Sequence, residues 1–329
     1  MPRPIVHIGY PKTASTWFQK EFYPHVAGRT YVERDRIRQA LLSPNALPFD
    51  AGVPRDALVA DAPGGIVICE EGLSGYLHNG GIMEAVTRTF ADRLKAALPD
   101  ADIVIVLRAQ PAIIASTYQQ YVRAGGTHSA KRHLFPHAFL IRNHREQYKV
   151  PLQDVAHFDY LPIVRYYRQL FGEDRVHLFL FEDFARDRDG FLRGFSERLG
   201  VSADPSGTAE RPWLESVAYP LLVAARLLNL FTYRAVIDKR WLLHIPGCYA
   251  LQGRLLDRLN RTGRFGRAPT PERLLGRDVV RWIEHRFAGP NRELAELTGL
   301  PLAEHGWVLD APEAPFPVPD SAWRRWYAR

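Results

Sequence analysis

The chain has 329 residues, is 46% hydrophobic and carries a formal net charge of +7. Length and apolar content suffice for one large core or two modest ones, and the 12% aromatic content excludes a chain disordered over most of its length. The two cysteines, Cys69 and Cys248, are too few and too far apart for a disulfide scaffold or a zinc site. The composition suits a reducing compartment. A strand entered by about residue 4 leaves no room for a signal peptide, so the expected location is the cytoplasm. The positive charge favours an anionic ligand, such as a nucleotide carrying several phosphate and sulfate groups, or an anionic membrane surface. Nucleic acid is not an expected partner, because no helix-turn-helix, zinc-finger or RRM signature is present.

The first element in chain order is a strand predicted over Pro4–Gly9, through the apolar run Ile5-Val6-His7-Ile8-Gly9. His7 lies inside it and reads as a satisfied core histidine. A turn at Tyr10-Pro11-Lys12 leads into a helix predicted over Ser15–Tyr23. The junction therefore gathers Lys12, the hydroxyls of Thr13, Ser15 and Thr16, and several free backbone N–H groups. Such a strand-to-helix junction binds phosphate, since a helix N-terminus presents unpaired donors and a partial positive charge. A Walker A loop needs G-x-x-x-x-G-K-[ST]. Here Lys12 follows Gly9 by three residues with no second glycine before it, so the loop suits phosphate but poorly suits an ATPase.

Further strands are predicted at Gly65–Cys69, Asp102–Leu107 and Val176–Phe181, and helices at Met83–Leu98, Pro111–Ala124 and Tyr160–Phe171. The strands are apolar almost throughout and mostly β-branched, as buried parallel strands are. The alternation predicts a three-layer, P-loop-like α/β fold with a central parallel sheet, binding ligands at the carboxyl ends of its strands. Two features fall at such ends. One is the carboxylate pair Glu70-Glu71 after Ile66-Val67-Ile68-Cys69. The other is Arg108, with Pro111 suited to a first helical turn and Ser116 eight residues on. A guanidinium there can grip a phosphate bidentately while the serine adds a hydrogen bond. Arg123, Lys131, Arg132 and His133 follow and read either as further phosphate contacts or as a solvated loop.

The pattern changes near Asp204, and residues 213–300 are predicted almost wholly helical. The apolar runs Val217–Phe231 and Trp241–Leu251 both fall short of the ~18–20 uninterrupted residues of a membrane span. They read as a helical cap, with docking on a membrane or a lipid-linked acceptor as the alternative. The expected organisation is an α/β core over 1–204, a mostly helical region over 205–310 that completes the core and forms the acceptor site, and a peripheral tail over 311–329.

Pro11-Lys12-Thr13-Ala14-Ser15-Thr16-Trp17 follows the pattern P-K-[TS]-G-[TS]-T-W at every position but Ala14. It resembles the 5′-phosphosulfate loop of sulfotransferases that use 3′-phosphoadenosine 5′-phosphosulfate (PAPS). Ala14 stands where that family often has glycine, which raises the question of a positive φ there. The segment from Arg108 through Pro111 to Ser116 resembles the same family's 3′-phosphate motif. Glu71 followed by Tyr76 resembles heparan-sulfate-type members, in which a strand ends in a glutamate base with an aromatic residue about five positions on; Glu70 is the fallback. Val176–Phe184 and Phe195–Gly200 resemble a later core strand, turn and helix end, and Phe287–Asn291 and His305-Gly306-Trp307 loosely resemble the C-terminal region of bacterial members.

The resemblance implies a bacterial-type sulfotransferase that moves a sulfuryl group from PAPS, releases 3′-phosphoadenosine 5′-phosphate (PAP) and uses no metal. Lys12, Thr13, Ala14, Ser15, Thr16 and Trp17 would cradle the phosphosulfate, and Arg108 and Ser116 the 3′-phosphate. Lys12 and Glu71 would be catalytic, Glu71 as base. The acceptor would be a hydroxyl or amine on a glycan, a lipid or a small metabolite, with peripheral contact to the inner face of the membrane as an accompanying expectation. The rival reading is a Mg²⁺-dependent P-loop kinase or NTPase, in which Ile66–Glu71 imitates Walker B. A third is a nucleotide-binding protein without turnover.

Overall fold

The isoleucines and valines of four apolar runs become strands because each is buried on both faces. The computed structural model describes residues 2–60, 62–78, 80–81, 84–135, 153–203, 216–233 and 239–310. Two compact units interleave along the chain. The first comprises Met1–Arg108, Asp159–Trp213 and Glu293–Pro301; the second comprises Ala109–Phe158, Leu214–Arg292 and Leu302–Arg329.

The first unit holds a five-stranded parallel sheet. Its strands are β1 (Ile5–Gly9), β2 (Thr30–Tyr31), β3 (Ile66–Cys69), β4 (Asp102–Leu107) and β5 (Val176–Leu180). The order is β2-β3-β1-β4-β5, so β1 is central. Ile5 pairs with Val67 on one side and Asp102 on the other, and the β1–β4 register slips between His7 and Gly9, where β1 gives way to the loop.

Alternate side chains face opposite layers. Ile5, Val67, Cys69, Val104 and Val106 meet Trp17, Phe18, Phe22, Leu192 and Phe195 on one face. On the other face the helix Tyr160–Phe171 packs on β4 and β5 and against the helix Ala85–Ala97. The arrangement is a three-layer α/β fold, as the β-α alternation predicts.

Two details differ from the sequence reading. The expected helix over Ser15–Tyr23 is three kinds of turn: α-helical at Ser15–Trp17, π-helical at Phe18–Phe22 and 3₁₀ at Tyr23–His25. A wider turn puts residues four and five apart on one face, and Phe18, Phe22 and Tyr23 all enter one aromatic core. The edge strand β2 is only two residues long and too short to register as a pattern.

The second unit is helical among its described residues. Its helices include Gln110–Arg123, Ala130–Leu134, Tyr219–Leu228, Cys248–Arg261 and Pro271–Leu275. Gln110 and Asn291 exchange two side-chain amide hydrogen bonds at 2.7 and 3.2 Å in its interior. Residues 241–247 are irregular within the stretch expected to be almost wholly helical; Pro246 and Gly247 lie there, and Gly247 takes φ 77 just before the helix Cys248–Arg261. No helix among the described residues is long and apolar enough to cross a membrane. The boundary at Asp204 and the tail 311–329 lie outside the described residues.

Candidate active site at the carboxyl ends of three strands

The loop after β1 is built on left-handed backbone. Gly9 has φ 90, Lys12 φ 72 and Ala14 φ 65. Ala14 therefore adopts the conformation usually left to glycine, at a cost of roughly 1–2 kcal/mol for a residue with a Cβ. The turn is closed from within by the buried Thr13 hydroxyl, which donates to the Tyr10 carbonyl. Ala14 is the N-cap, and its carbonyl accepts from the N–H groups of Trp17 at 2.8 Å and Phe18 at 3.1 Å. The N-cap Ala14 makes no side-chain cap hydrogen bond to this helix, whose first-turn N–H groups are of the kind that take an anion. Alternating backbone of this kind forms an anion-binding concavity. Lys12 and Thr16 are half-buried and Ser15 is buried at the same junction. The Trp17 indole turns inward against Phe18, Phe22 and Phe184, so its side chain belongs to the core.

Arg108, at the end of β4, reaches this loop. Its Nη1 donates to the Lys12 carbonyl at 2.9 Å, and its guanidinium lies 4.4 Å over the Phe181 ring. The Arg108 carbonyl accepts from the Tyr160 hydroxyl at 2.6 Å. Burial pulls the guanidinium down from the ordinary arginine value, against the opposing pull of Glu182. Ser116, its expected companion, sits half-buried on the helix Gln110–Arg123 of the second unit.

The end of β3 supplies two carboxylates with different surroundings. The Glu70 side chain is 1% exposed and enclosed by donors. Arg34 holds it bidentately at 2.9 and 3.1 Å, Arg38 Nε donates at 3.0 Å, and the Gly72 N–H donates at 2.9 Å. Burial pushes its carboxyl up, but the hydrogen bonds from Arg34 and Gly72 and the charges of Arg34 and Arg38 outweigh burial and hold it below the ordinary value. Glu71 is more open, with a side chain 24% exposed. Its Oε1 accepts from Arg34 Nη2 at 2.8 Å and its Oε2 from Gln19 Nε2 at 2.9 Å. A carboxylate has about four lone-pair sites, so both oxygens keep capacity to take a proton. Tyr76 is exposed.

Sequence reasoning missed Gln19, Arg34 and Arg38. The available signal was weak: two arginines at an i, i+4 spacing, which places them on one face of a helix. Of the weaker candidates, Arg123 pairs with Asp257 at 3.2 Å, Lys131 with Asp278 at 2.5 Å, and His133 is buried with its ring stacked on Tyr121. His7 is fully buried, as its strand position predicts, with Nδ1 3.0 Å from the Tyr23 hydroxyl. Burial lowers its pKa from 6.5 to about 3.

No family model and no curated protein matches this chain. Among solved structures, a sulfotransferase from Alicyclobacillus acidocaldarius is similar over 64% of this chain and 87% of its own, at 22% identity and a TM-score of 0.42.

Proposed function

We propose that this protein is a PAPS-dependent sulfotransferase acting on a hydroxyl or amine. One observation carries the reading. The neighbours β3, β1 and β4 end, respectively, in the carboxylate Glu71, the left-handed loop at Lys12–Trp17, and Arg108 bonded to that loop. A carboxylate, a left-handed loop and a guanidinium thus share the carboxyl end of a parallel sheet, where such folds take their ligands, and this supports the reading.

In this reading the loop N–H groups and Lys12 hold the 5′-phosphosulfate, and Arg108 with Ser116 holds the 3′-phosphate. The acceptor oxygen or nitrogen forms a bond to sulfur as the bond from sulfur to the bridging phosphate oxygen breaks. The electron pair leaves with PAP, and the acceptor proton passes to Glu71. Lys12 offsets the charge growing on the bridging oxygen.

The kinase reading needs a carboxylate at the end of β3 open to Mg²⁺. Glu70 directs its oxygens at Arg34, Arg38 and the Gly72 N–H instead, which leaves that task to Glu71 alone, the residue assigned here to proton transfer. A thermal-shift panel of PAP, ATP and GTP, with and without Mg²⁺, tests the choice. PAP alone should raise the melting temperature most. Tighter binding of ATP with Mg²⁺ than of PAP would overturn the proposal. Turnover of PAPS separates the enzyme from a binding protein that only retains the site.

A further inference from the structure

The second unit carries an apolar surface of unusual kind. Leu242 is 71% exposed and Leu251 69%, and Tyr233, Trp241, Leu243 and Ile245 are also exposed. Monomeric proteins seldom leave large apolar side chains clustered in solvent without a use for them.

The surface is held in place by its own hydrogen bonds. Leu242 N–H donates to the Leu230 carbonyl at 2.8 Å and Ile245 N–H to the Phe231 carbonyl at 3.0 Å. Lys239 Nζ ties the two sides together through the carbonyls of Thr232, at 2.7 Å, and Asn229, at 3.2 Å. Asn229 is buried and donates to the carbonyls of Val122 and Gly126. Tyr233 and Trp241 meet edge to face at 5.6 Å.

The following helix, Cys248–Arg261, carries an exposed stripe of its own. Leu251, Arg254, Leu255 and Arg258 are all exposed, and their i, i+3, i+4, i+7 spacing puts them on one stripe. A stripe alternating leucine with arginine suits a lipid–water boundary, because arginine can bury its stem and keep its head among phosphates. Trp and Tyr favour the same boundary.

Charge selects the occupant. Residues 239–267 contain seven Lys and Arg against one acid, Asp257. A second copy docked two-fold on this face would set these cations against each other, whereas an anionic bilayer complements them. We propose that Tyr233, Trp241–Ile245 and the Leu251–Arg258 stripe form a docking surface for an anionic lipid bilayer, lying on the membrane without crossing it.

Sedimentation with vesicles tests this. The full chain should pellet with equimolar phosphatidylcholine and phosphatidylglycerol, and far less with phosphatidylcholine alone. Trp241→Ala with Leu242→Asp should weaken binding about tenfold or more, a change of ~1.4 kcal/mol. Arg254→Glu and Arg258→Glu should each weaken it roughly fivefold or more, the value of one basic residue near an anionic surface. Melting temperatures and the shift produced by PAP should stay at wild-type values, so that failure here is separable from failure of the sulfotransferase reading. Equal binding to neutral and anionic vesicles, or binding to neither, overturns the proposal. So does a dimer in solution that Leu242→Asp breaks into monomers without any effect on lipid binding.

Discussion

A methyl group added to Gly9 would sit 2.9 Å from both Cα and Cβ of Glu71. The end of β1 thus touches the end of β3 at the residue proposed as base. Gly9 also has φ 90, which a side chain resists. Gly9→Ala should therefore displace Glu71 or the loop, costing about 1–3 kcal/mol of stability as overpacking does. Urea unfolding and turnover should both show the loss. Wild-type values in both would mean that the two strand ends are free to part.

Ala14 pays for a conformation that glycine adopts freely. Ala14→Gly removes roughly 1–2 kcal/mol of steric strain and adds about 0.5–1 kcal/mol of chain entropy. The expected outcome is a small gain, read as a rise in melting temperature. A β-branched residue should do the reverse: Ala14→Val should lower the melting temperature and weaken PAP binding.

Arg108 has two tasks in the proposed enzyme, bracing the Lys12 carbonyl and holding the 3′-phosphate. Arg108→Ala should weaken PAP by about 1.5–3 kcal/mol, the value of a hydrogen bond to a charged group. Adenosine 5′-phosphosulfate, which lacks the 3′-phosphate, should lose less, since only the brace is missed. Titration calorimetry with both ligands checks this. Equal losses would leave Arg108 as a brace alone.

The two glutamates should separate by what each mutation changes. Glu71→Gln should lower kcat ~10²–10⁴-fold, the usual range for general base catalysis, with PAP affinity nearly unchanged. Glu70→Gln should instead lower the melting temperature, because Arg34 and Arg38 lose the carboxylate they enclose. Glu70 is depressed in the fold, so its contribution is present above the unfolded carboxyl range and lost as pH falls through the folded value. Glu70→Gln should therefore flatten the acid limb of stability. Loss of turnover without loss of stability in Glu70→Gln would make Glu70 the base.

His7 should act at milder acidity. Its folded pKa is about 3 against 6.5 for the unfolded group. Between these values the unfolded chain binds a proton that the fold refuses, so stability falls with falling pH. One such group contributes ~1.4 kcal/mol per pH unit. His7→Leu should remove that slope between about pH 6 and pH 5, where an ordinary histidine titrates. Denaturant midpoints across this range provide the measurement.

β1, β3, β4 and β5 were legible because burial on both faces writes a nearly continuous apolar run into the sequence. The strand-to-turn-to-helix junction was legible because Gly9 and Pro11 punctuate the end of the apolar run. Arg34 was not, because its partners Glu70 and Glu71 lie 36 and 37 residues away and only the fold joins them. The φ of Ala14 was raised by the sequence only as a question. Alanine's own preference is right-handed, and the turn closed by Thr13 and the Arg108 brace overrides it. The apolar run beginning at Trp241 read as helix or docking surface alike, and main-chain bonding to Leu230 and Phe231 decides its shape.

The first of the five strands in chain order is the middle of the sheet. During synthesis β1 must wait for Ile66–Cys69 and then Asp102–Leu107 before either flank is paired. The Lys12 carbonyl waits still longer, for Arg108, whose own carbonyl waits for Tyr160. Each closure spans a long stretch of chain, and such non-local pairing slows folding. The Lys12–Trp17 loop is therefore braced only once chain far downstream of it has been made, and the segment that translation supplies early is completed late.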